Sequence, residues 1–300
     1  DVCSSDLTNK IKSINDQPAD EWLEKTERLI RNSNNIKILK NTLVTTYNFS
    51  DHLIALEDKN VGKPQDNEKP ELVLHKIRTK HTILANGHIE RFITFRNNDL
   101  PGVMLAASFE KYLNRYGVVP DESPVIFTNN SSTFSLLKSL TDLGHKPKAY
   151  VDIRDQKNIE EETVELLDKF NIPFYPKSEI EGCEGQKEVK KVSIRTKKNQ
   201  ITKIKTSMLC VSGGFNPDIH LFTQSKGLLK WDKDHLTFKP DRIFQKTITL
   251  GSVSGNFSYQ KLLVEVEKKL SEFEGLNELE VKDRKSTRLN SSHRCISYAV

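Results

Sequence analysis

The chain has 300 residues, 29% of them charged and 36% hydrophobic, which describes a soluble globular protein of one large or two medium domains. No run approaches the ~18 apolar residues of a membrane span, and the N-terminus carries no signal-peptide pattern. The net charge of +5 is spread along the chain, without the clustered basic face and interleaved aromatics that nucleic acid would need.

The two ends read as foreign to the rest. Asp283 to His293, DRKSTRLNSSH, resembles the translation of a common short-read sequencing adapter, with Arg294-Cys295 as an index and ISYAV as the next adapter segment. The opening DVCSSDL, residues 1–7, resembles the opposite adapter. Both ends are set aside from fold reasoning, and residues 8–282 are expected to be an internal piece of a longer chain. Without Asp1, Asp6, Asp283, Arg284, Lys285, Arg288 and Arg294 the net charge is +4, and Cys183 and Cys210 remain. Two isolated cysteines give no CxxC and no metal spacing, which suits a reducing, cytoplasmic compartment.

Pro18 to Arg31 places Trp22, Leu23, Thr26, Leu29 and Ile30 on one helical face, with Asp20 and Glu21 at the positive end of the helix dipole. IKIL (36–39) and LVTTYNF (43–49) are β-rich runs. His52 to Asp58 and Leu72 to Arg78 alternate like paired strands, and the polar stretch Lys59 to Lys69 between them reads as a hairpin tip. HTILANG then forms an apolar strand closing on Gly87, with His88, Glu90 and Arg91 behind it, a pattern that suggests a backbone passing close to a ligand. A helix, VMLAASFEKYLNRY, opens after Pro101-Gly102 and stops at Gly117.

A second unit follows: strand Val125 to Thr128, helix Ser132 to Leu143, strand Ala149 to Ile153, helix Ile159 to Phe170 and the short strand IPFY. This βαβαβ order predicts a parallel sheet with right-handed crossovers. EVKKVSI and QITKIKT read as antiparallel strands joined by a turn at Lys197 to Asn199. SMLCVSGG is an apolar strand landing on a glycine pair, TITLG is a last apolar strand, and Tyr259 to Phe273 is a helix.

ANGHIER, NNDLPGVMLA, YLNRYGVVP, VIFTNN, VSGGFNPDIHLFTQS and LKWD, spread in order over Arg78 to Asp232, resemble the alpha subunit of heterotetrameric sarcosine oxidase. Subunits of opine oxidases, amino-acid dehydrogenases and hydrogen cyanide synthase are similar at greater distance. The resemblance implies an α/β, three-layer, two-dinucleotide-binding (FAD/NAD(P)-binding Rossmann-like) fold, truncated at its N-terminal βα unit. In the family a glycine-rich strand–turn–helix holds the pyrophosphate on a helix N-terminus; no GxGxxG occurs in residues 8–282. The expected division is 8–117 for the later part of the first dinucleotide-binding unit with its β-meander, 118–210 for a second, degenerate nucleotide-binding-like unit, and 211–282 for the return to the first.

Cofactor-binding residues carry over only where motifs match. Asn86-Gly87 stands where the family commonly has Thr-Gly, and glycine there lets the backbone approach the cofactor. Gly251-Ser252 ends the last strand where flavoprotein relatives often have Gly-Asp; serine lacks the carboxylate that would hold a flavin ribityl chain, which suits NAD. Val44 resembles the strand residue whose backbone meets the adenine. The second unit offers Asn129-Asn130-Ser131-Ser132 where a nucleotide-binding turn would need glycines, and those residues make turn and cap chemistry instead. Asp152, without a glycine turn to pair with, reads as a solvated strand end. His81, His88 and His220 read as structural, Cys210 as a core residue, and Glu90 and Arg91 as a phosphate or acid–base pair, an internal ion pair or an interface contact.

The resemblance implies oxidative demethylation of sarcosine to glycine, with the one-carbon unit passed to tetrahydrofolate and oxygen reduced to hydrogen peroxide. It further implies NAD on this subunit, FAD and FMN in the assembled complex, and a flavin-bearing beta subunit among the partners of a hetero-oligomer. No catalytic acid or base and no metal ligand is expected in this segment, which alone would be inactive. The alternatives are a related opine or amino-acid oxidase or dehydrogenase subunit, and a non-catalytic scaffold subunit.

Overall fold

A computed structural model describes residues 13–14, 17–61, 71–119, 123–257 and 259–271. Both adapter-like ends and most of the hairpin tip at 59–69 lie outside the described residues. The first part of the chain carries β1 (Ser13–Ile14), β2 (Gln17–Pro18), α1 (Ala19–Arg31), β3 (Thr42–Asn48), β4 (His52–Asp58), β5 (Leu72–Arg78), β6 (Thr82–Leu84) and β7 (His88–Glu90). Next come β8 (Val103–Leu105), α2 (Ala106–Tyr116), β9 (Val125–Thr128), α3 (Phe134–Asp142), β10 (Ala149–Asp152), α4 (Glu161–Lys169) and β11 (Phe174–Pro176). Three meander strands, β12 (Glu179–Glu184), β13 (Lys191–Arg195) and β14 (Ile201–Lys205), precede β15 (Leu209–Ser212). The chain closes with β16 (Phe215–Pro217), α5 (His220–Gln224), β17 (Leu228–Asp232), β18 (Thr237–Arg242), β19 (Thr247–Thr249) and α6 (Tyr259–Ser271).

Two compact units result, one formed by Glu90–Phe215 and the other by described residues before and after that segment. The sequence expectation set these crossings at 117/118 and 210/211. The earlier crossing follows from β8 and α2: β8 pairs in parallel with β15 through Val103↔Leu209 to Leu105↔Val211, and α2 packs beside it. The stretch Val103 to Leu105, expected as the first turn of a helix, is therefore a strand. Gly102 makes the entry possible: its φ is +103°, and a Cβ there would stand 2.2 Å from the Ser207 carbonyl oxygen.

In the Glu90–Phe215 unit the sheet order is β11-β10-β9-β15-β8, and every pair is parallel. VIFT, AYVD and LCVS are buried along their whole length, as strands covered on both faces must be. Their alternation sorts side chains into two layers. Ile126, Tyr150 and Cys210 meet Phe109 and Leu113 of α2, Leu136, Leu137 and Leu140 of α3 and Leu167 of α4. Val125, Phe127, Val151 and Val211 face the opposite way, against Ile180, Cys183, Val192 and Ile194 of the antiparallel meander β12-β13-β14. Helices, parallel sheet and meander make three layers around two apolar seams.

The other unit holds the antiparallel sheet β3-β4-β5, the parallel pair β6–β19 and the hairpin β17–β18. Its core gathers Tyr47, Leu53, Leu84 and Phe222, with Val44, Ile77 and Leu229 packed against them. The Tyr47 hydroxyl lies 2.5 Å from Thr247 Oγ1, and burial pushes its pKa above the ordinary phenol value. IKIL forms no strand, and Leu29, expected on the buried face of α1, is 58% exposed while Trp22, Leu23, Thr26 and Ile30 are half-buried. Among the described residues no helix is long and apolar enough to cross a membrane.

Candidate functional site

Strands β6 and β19 are parallel neighbours in register Thr82↔Thr247 to Leu84↔Thr249, and Leu250 N extends the ladder to Leu84 O at 2.9 Å. Two parallel strands side by side deliver their C-terminal ends to the same edge, so the glycine turns that follow lie together. Gly87 has φ +88° and Gly251 has φ +75°, both in the left-handed region that side chains avoid. A Cβ on Gly87 would meet nothing within 4 Å, whereas one on Gly251 would touch Leu262 Cδ1 at 3.5 Å. Gly87 therefore borders open space, a gap that a side chain there would enter.

Side chains pin both turns. Asn86 Nδ2 donates to the Asp218 carbonyl at 2.7 Å, and Asp218 N donates back to Gly87 O at 3.1 Å. Asn86 Oδ1 is buried and has no hydrogen-bond partner among the described residues. Ser252 Oγ and His88 Nδ1 stand 2.8 Å apart, joining the two strand ends across 164 residues of chain. The short 3-10 turn Gly251–Ser254 is fixed from behind, where Ser254 Oγ and Asn256 Nδ2 donate to the two oxygens of Glu265 on α6. Lys269 Nζ contacts Glu265 Oε1 at 2.6 Å as well.

The structure thus brings Asn86, Gly87, Gly251 and Ser252 to one edge. Val44 lies on β3, opposite Ala55, at a bulge between Val44 and Thr46, with its side chain against the core that includes Leu84. His88, assigned a structural place from sequence, is exposed and engages Ser252; the partnership of residues so far apart leaves no local signature. Asp218 and Glu265 carry no sequence signal either.

The parallel sheet of the other unit has its own switch point, between β9 and β15, where open α/β sheets bind ligands. Here the chain's own side chains occupy it. Thr128 Oγ1 and Asn130 Nδ2 both donate to the Ser212 carbonyl at 3.1 Å, and Ser132 Oγ meets Ser212 Oγ at 2.9 Å. Asn130 Oδ1 accepts from Ser132 N at 2.9 Å, closing the turn on itself. The glycine pair after β15 serves packing: Gly213 N donates to Arg91 O, and Arg91 N to Gly214 O, each at 2.7 Å. Glu90 Oε2 accepts from Ala107 N at 2.9 Å, placing a carboxylate at the start of α2, whose Leu105 N-cap has no side-chain acceptor.

Asp152 departs from expectation. It is fully buried, not solvated, and Arg154 wraps it with Nη2 to Oδ2 at 2.9 Å, Nε to Oδ1 at 3.2 Å and backbone N to Oδ1 at 2.8 Å. Burial raises its pKa, and Arg154 pulls the other way. Arg154 Nη1 continues to Ser131 Oγ at 3.0 Å, and Ser131 is bonded to Glu160. A ribose-binding acid would have to leave this pair. Cys210 and Cys183 are both buried free thiols; burial pushes Cys183 up to about 11, and burial with the Glu90 charge pushes Cys210 up as well. Among the described residues no His, Cys, Asp and Glu group could hold a metal ion.

No family model matches the chain. It is similar to sarcosine oxidase subunit alpha of Corynebacterium sp. (strain U-96), 29% identical over 248 residues that cover 79% of this chain and 25% of that protein. The same subunit of Rhizobium meliloti (strain 1021) is 28% identical over 242 residues, covering 77% and 23%. The chain therefore spans about a quarter of the length of these curated relatives. Among solved structures it is similar to T. acidophilum thioredoxin reductase, with a TM-score of 0.59 at 15% identity over 86% of this chain and 82% of that one. L-proline dehydrogenase from P. horikoshii gives a TM-score of 0.56 at 20% identity, covering 83% and 43%. The fold is that of the FAD/NAD(P)-binding Rossmann-like proteins.

Proposed function

We propose that the chain is part of the dinucleotide-binding alpha subunit of a sarcosine oxidase-type complex. The observation that carries the reading is an asymmetry between the units. In one, two parallel strands end together on positive-φ glycines, with open space beside Gly87. In the other, the switch point is closed by Thr128, Asn130, Ser132 and Ser212. NAD fits the first edge in character: the hydrogen-bonding side chains of Asn86, His88 and Ser252 stand there. Asn86, Gly87, Gly251 and Ser252 would hold the dinucleotide, with the backbone of Val44 toward its adenine end. When bound, it supplies a carrier for hydride or a fixed structural element; the residues here bind and orient it.

The similarity to subunits named sarcosine oxidase alpha supports a place in a hetero-oligomer with a flavin-bearing beta subunit, FAD and FMN being held in the assembled complex. The proposed reaction is oxidative demethylation of sarcosine to glycine, with the one-carbon unit passed to tetrahydrofolate and oxygen reduced to hydrogen peroxide, in the cytoplasm. The test is reconstitution of the full-length polypeptide with its flavoprotein partner. Sarcosine-dependent peroxide release with one glycine formed per peroxide is the expected result. Turnover of an opine or a cyclic amino acid, with none of sarcosine, would move the chain to a related oxidase or dehydrogenase, and no turnover of any amine would favour a scaffold.

A further inference from the structure

We propose that the outer face of the sheet β3-β4-β5 docks one acidic amphipathic helix of a partner subunit. The inference rests on the hetero-oligomer reading above and deepens it by assigning a contact surface. An antiparallel sheet with one face on the core ordinarily turns polar side chains to water on the other. Here the core-facing side carries Val44, Tyr47, Leu53 and Ile77, yet the opposite side is also apolar at one end. Leu43, Leu56 and Leu74 stand directly opposite one another across the three strands. Leu43 is 60% exposed, Leu74 56%, and Leu72, two residues before it on β5, 52%. Ile54, one row further along, is half-buried. A contiguous exposed apolar row of this kind marks an interaction site, whereas leucines exposed singly would not.

The other end of the same face is basic. Alternation along β5 puts Lys76 and Arg78 on the side of Leu72 and Leu74, and the pairing sets Lys76 opposite Ile54 and Arg78 opposite His52. Lys76, Arg78 and His52 are exposed, and among the described residues no carboxylate pairs with Lys76 or Arg78. The complementary surface is therefore apolar at one end and carries carboxylates at the other. The dimensions select a helix. Seven-residue strands at ~3.4 Å per residue make the face roughly 24 Å long, and the outer strand axes are about 10 Å apart. A helix is ~10–12 Å across and rises ~1.5 Å per residue, so one helix of about 16 residues covers the face. A second copy stacked on it meets a mismatch in either direction. Strands aligned set Lys76 and Arg78 against their own copies. Strands reversed set them over the leucine end, where Asp58 already accepts from Asn60 N at 2.9 Å.

The experiment places a photoreactive side chain on the face, Leu74→benzoylphenylalanine, in the full-length polypeptide co-expressed with the flavoprotein and other subunits of the complex. Irradiation should join position 74 to a partner subunit, at a segment with apolar residues at helical spacing and Asp or Glu toward one end. Two double variants, Leu72→Ser with Leu74→Ser and Lys76→Glu with Arg78→Glu, should each weaken assembly about tenfold or more in a light-scattering titration. Rising salt should shrink the second loss and spare the first. Both variants should keep the wild-type urea midpoint, because the altered side chains are exposed. Cross-links found only within one polypeptide or to a second copy, or none at all, would overturn the inference while leaving the complex in place. Assembly undisturbed by either variant would do the same. Binding of phosphatidylserine vesicles by the isolated polypeptide, abolished in both variants, would reassign the face to a lipid surface. Failure of the wild-type polypeptide to assemble with any flavoprotein would instead overturn the hetero-oligomer reading itself.

Discussion

Arg154→Ala separates a structural acid from a ligand-binding one. Asp152 is 0% exposed and Arg154 20%, and removing the guanidinium leaves the carboxylate, among the described residues, a single hydrogen bond, from the Arg154 backbone N–H at 2.8 Å. Breaking a buried ion pair from one side costs about 3–5 kcal/mol, while a solvated pair would cost about 0–1 kcal/mol. The loss at neutral pH should be near 3 kcal/mol, because the orphaned acid can escape by taking a proton at ~1.4 kcal/mol per unit of pKa. The sign with pH follows from the raised folded-state pKa, which burial causes and Arg154 restrains. A carboxyl whose folded pKa exceeds its unfolded value loses stability as pH rises from the unfolded value through the folded one. The variant's deficit should therefore be small near the ordinary aspartate pKa of ~3.9, grow as pH rises, and level off above the folded pKa. Urea denaturation followed by circular dichroism across that range measures it. Asp152→Asn combined with Arg154→Ala should recover most of the loss. A deficit independent of pH, or no recovery in the double variant, would refute the argument and return Asp152 to a solvated role.

Gly227→Ala places a Cβ 2.4 Å from the buried Phe222 ring without any φ penalty, so overpacking alone should cost about 1–3 kcal/mol in thermal or urea unfolding. Asp232 accepts from Lys239 Nζ and from the N–H groups of His235 and Asp234, which hold its pKa well below the usual carboxylate range. That contribution is present above the unfolded pKa and lost as pH falls, so Asp232→Asn should flatten the acid limb of the stability profile. Cys183 and Cys210, buried with raised pKa values, should resist alkylation in the native chain and react only on unfolding, at rates read by mass spectrometry.

The parallel sheet was legible because strands buried on both faces leave continuous apolar runs, as in PVIFT and SMLCVS. Val103 to Leu105 was not, since three apolar residues running into AASFEKYLNRY merge with the helical period that follows. The hairpin β17–β18 hid behind charge: LLKWD and TFKPDR expose about half of their residues and give no clean alternation. At the candidate site the glycine turns showed in sequence, because their strands end on residues that only a left-handed backbone requires. The His88–Ser252 contact and the Arg154 clasp on Asp152 did not. The first depends on pairing β6 with β19, and the second on burial at the end of β10, and neither is a property of a local stretch.

The central claim, one dinucleotide at the edge formed by β6 and β19, is tested most directly by titrating NAD into the full-length polypeptide and two variants. Gly87→Val fills the open space beside the strand end and forces a β-branched residue to φ +88°, a backbone strain of about 1–3 kcal/mol. Gly117→Ala carries a strain of the same kind at φ +62° on the end of α2, also in open space, and controls for it. The account predicts one equivalent of NAD bound by wild type and by Gly117→Ala and none by a folded Gly87→Val, with Asn130→Ala unaffected. Two equivalents in wild type, or binding lost on Asn130→Ala and kept on Gly87→Val, would place the ligand at the switch point between β9 and β15 and contradict it.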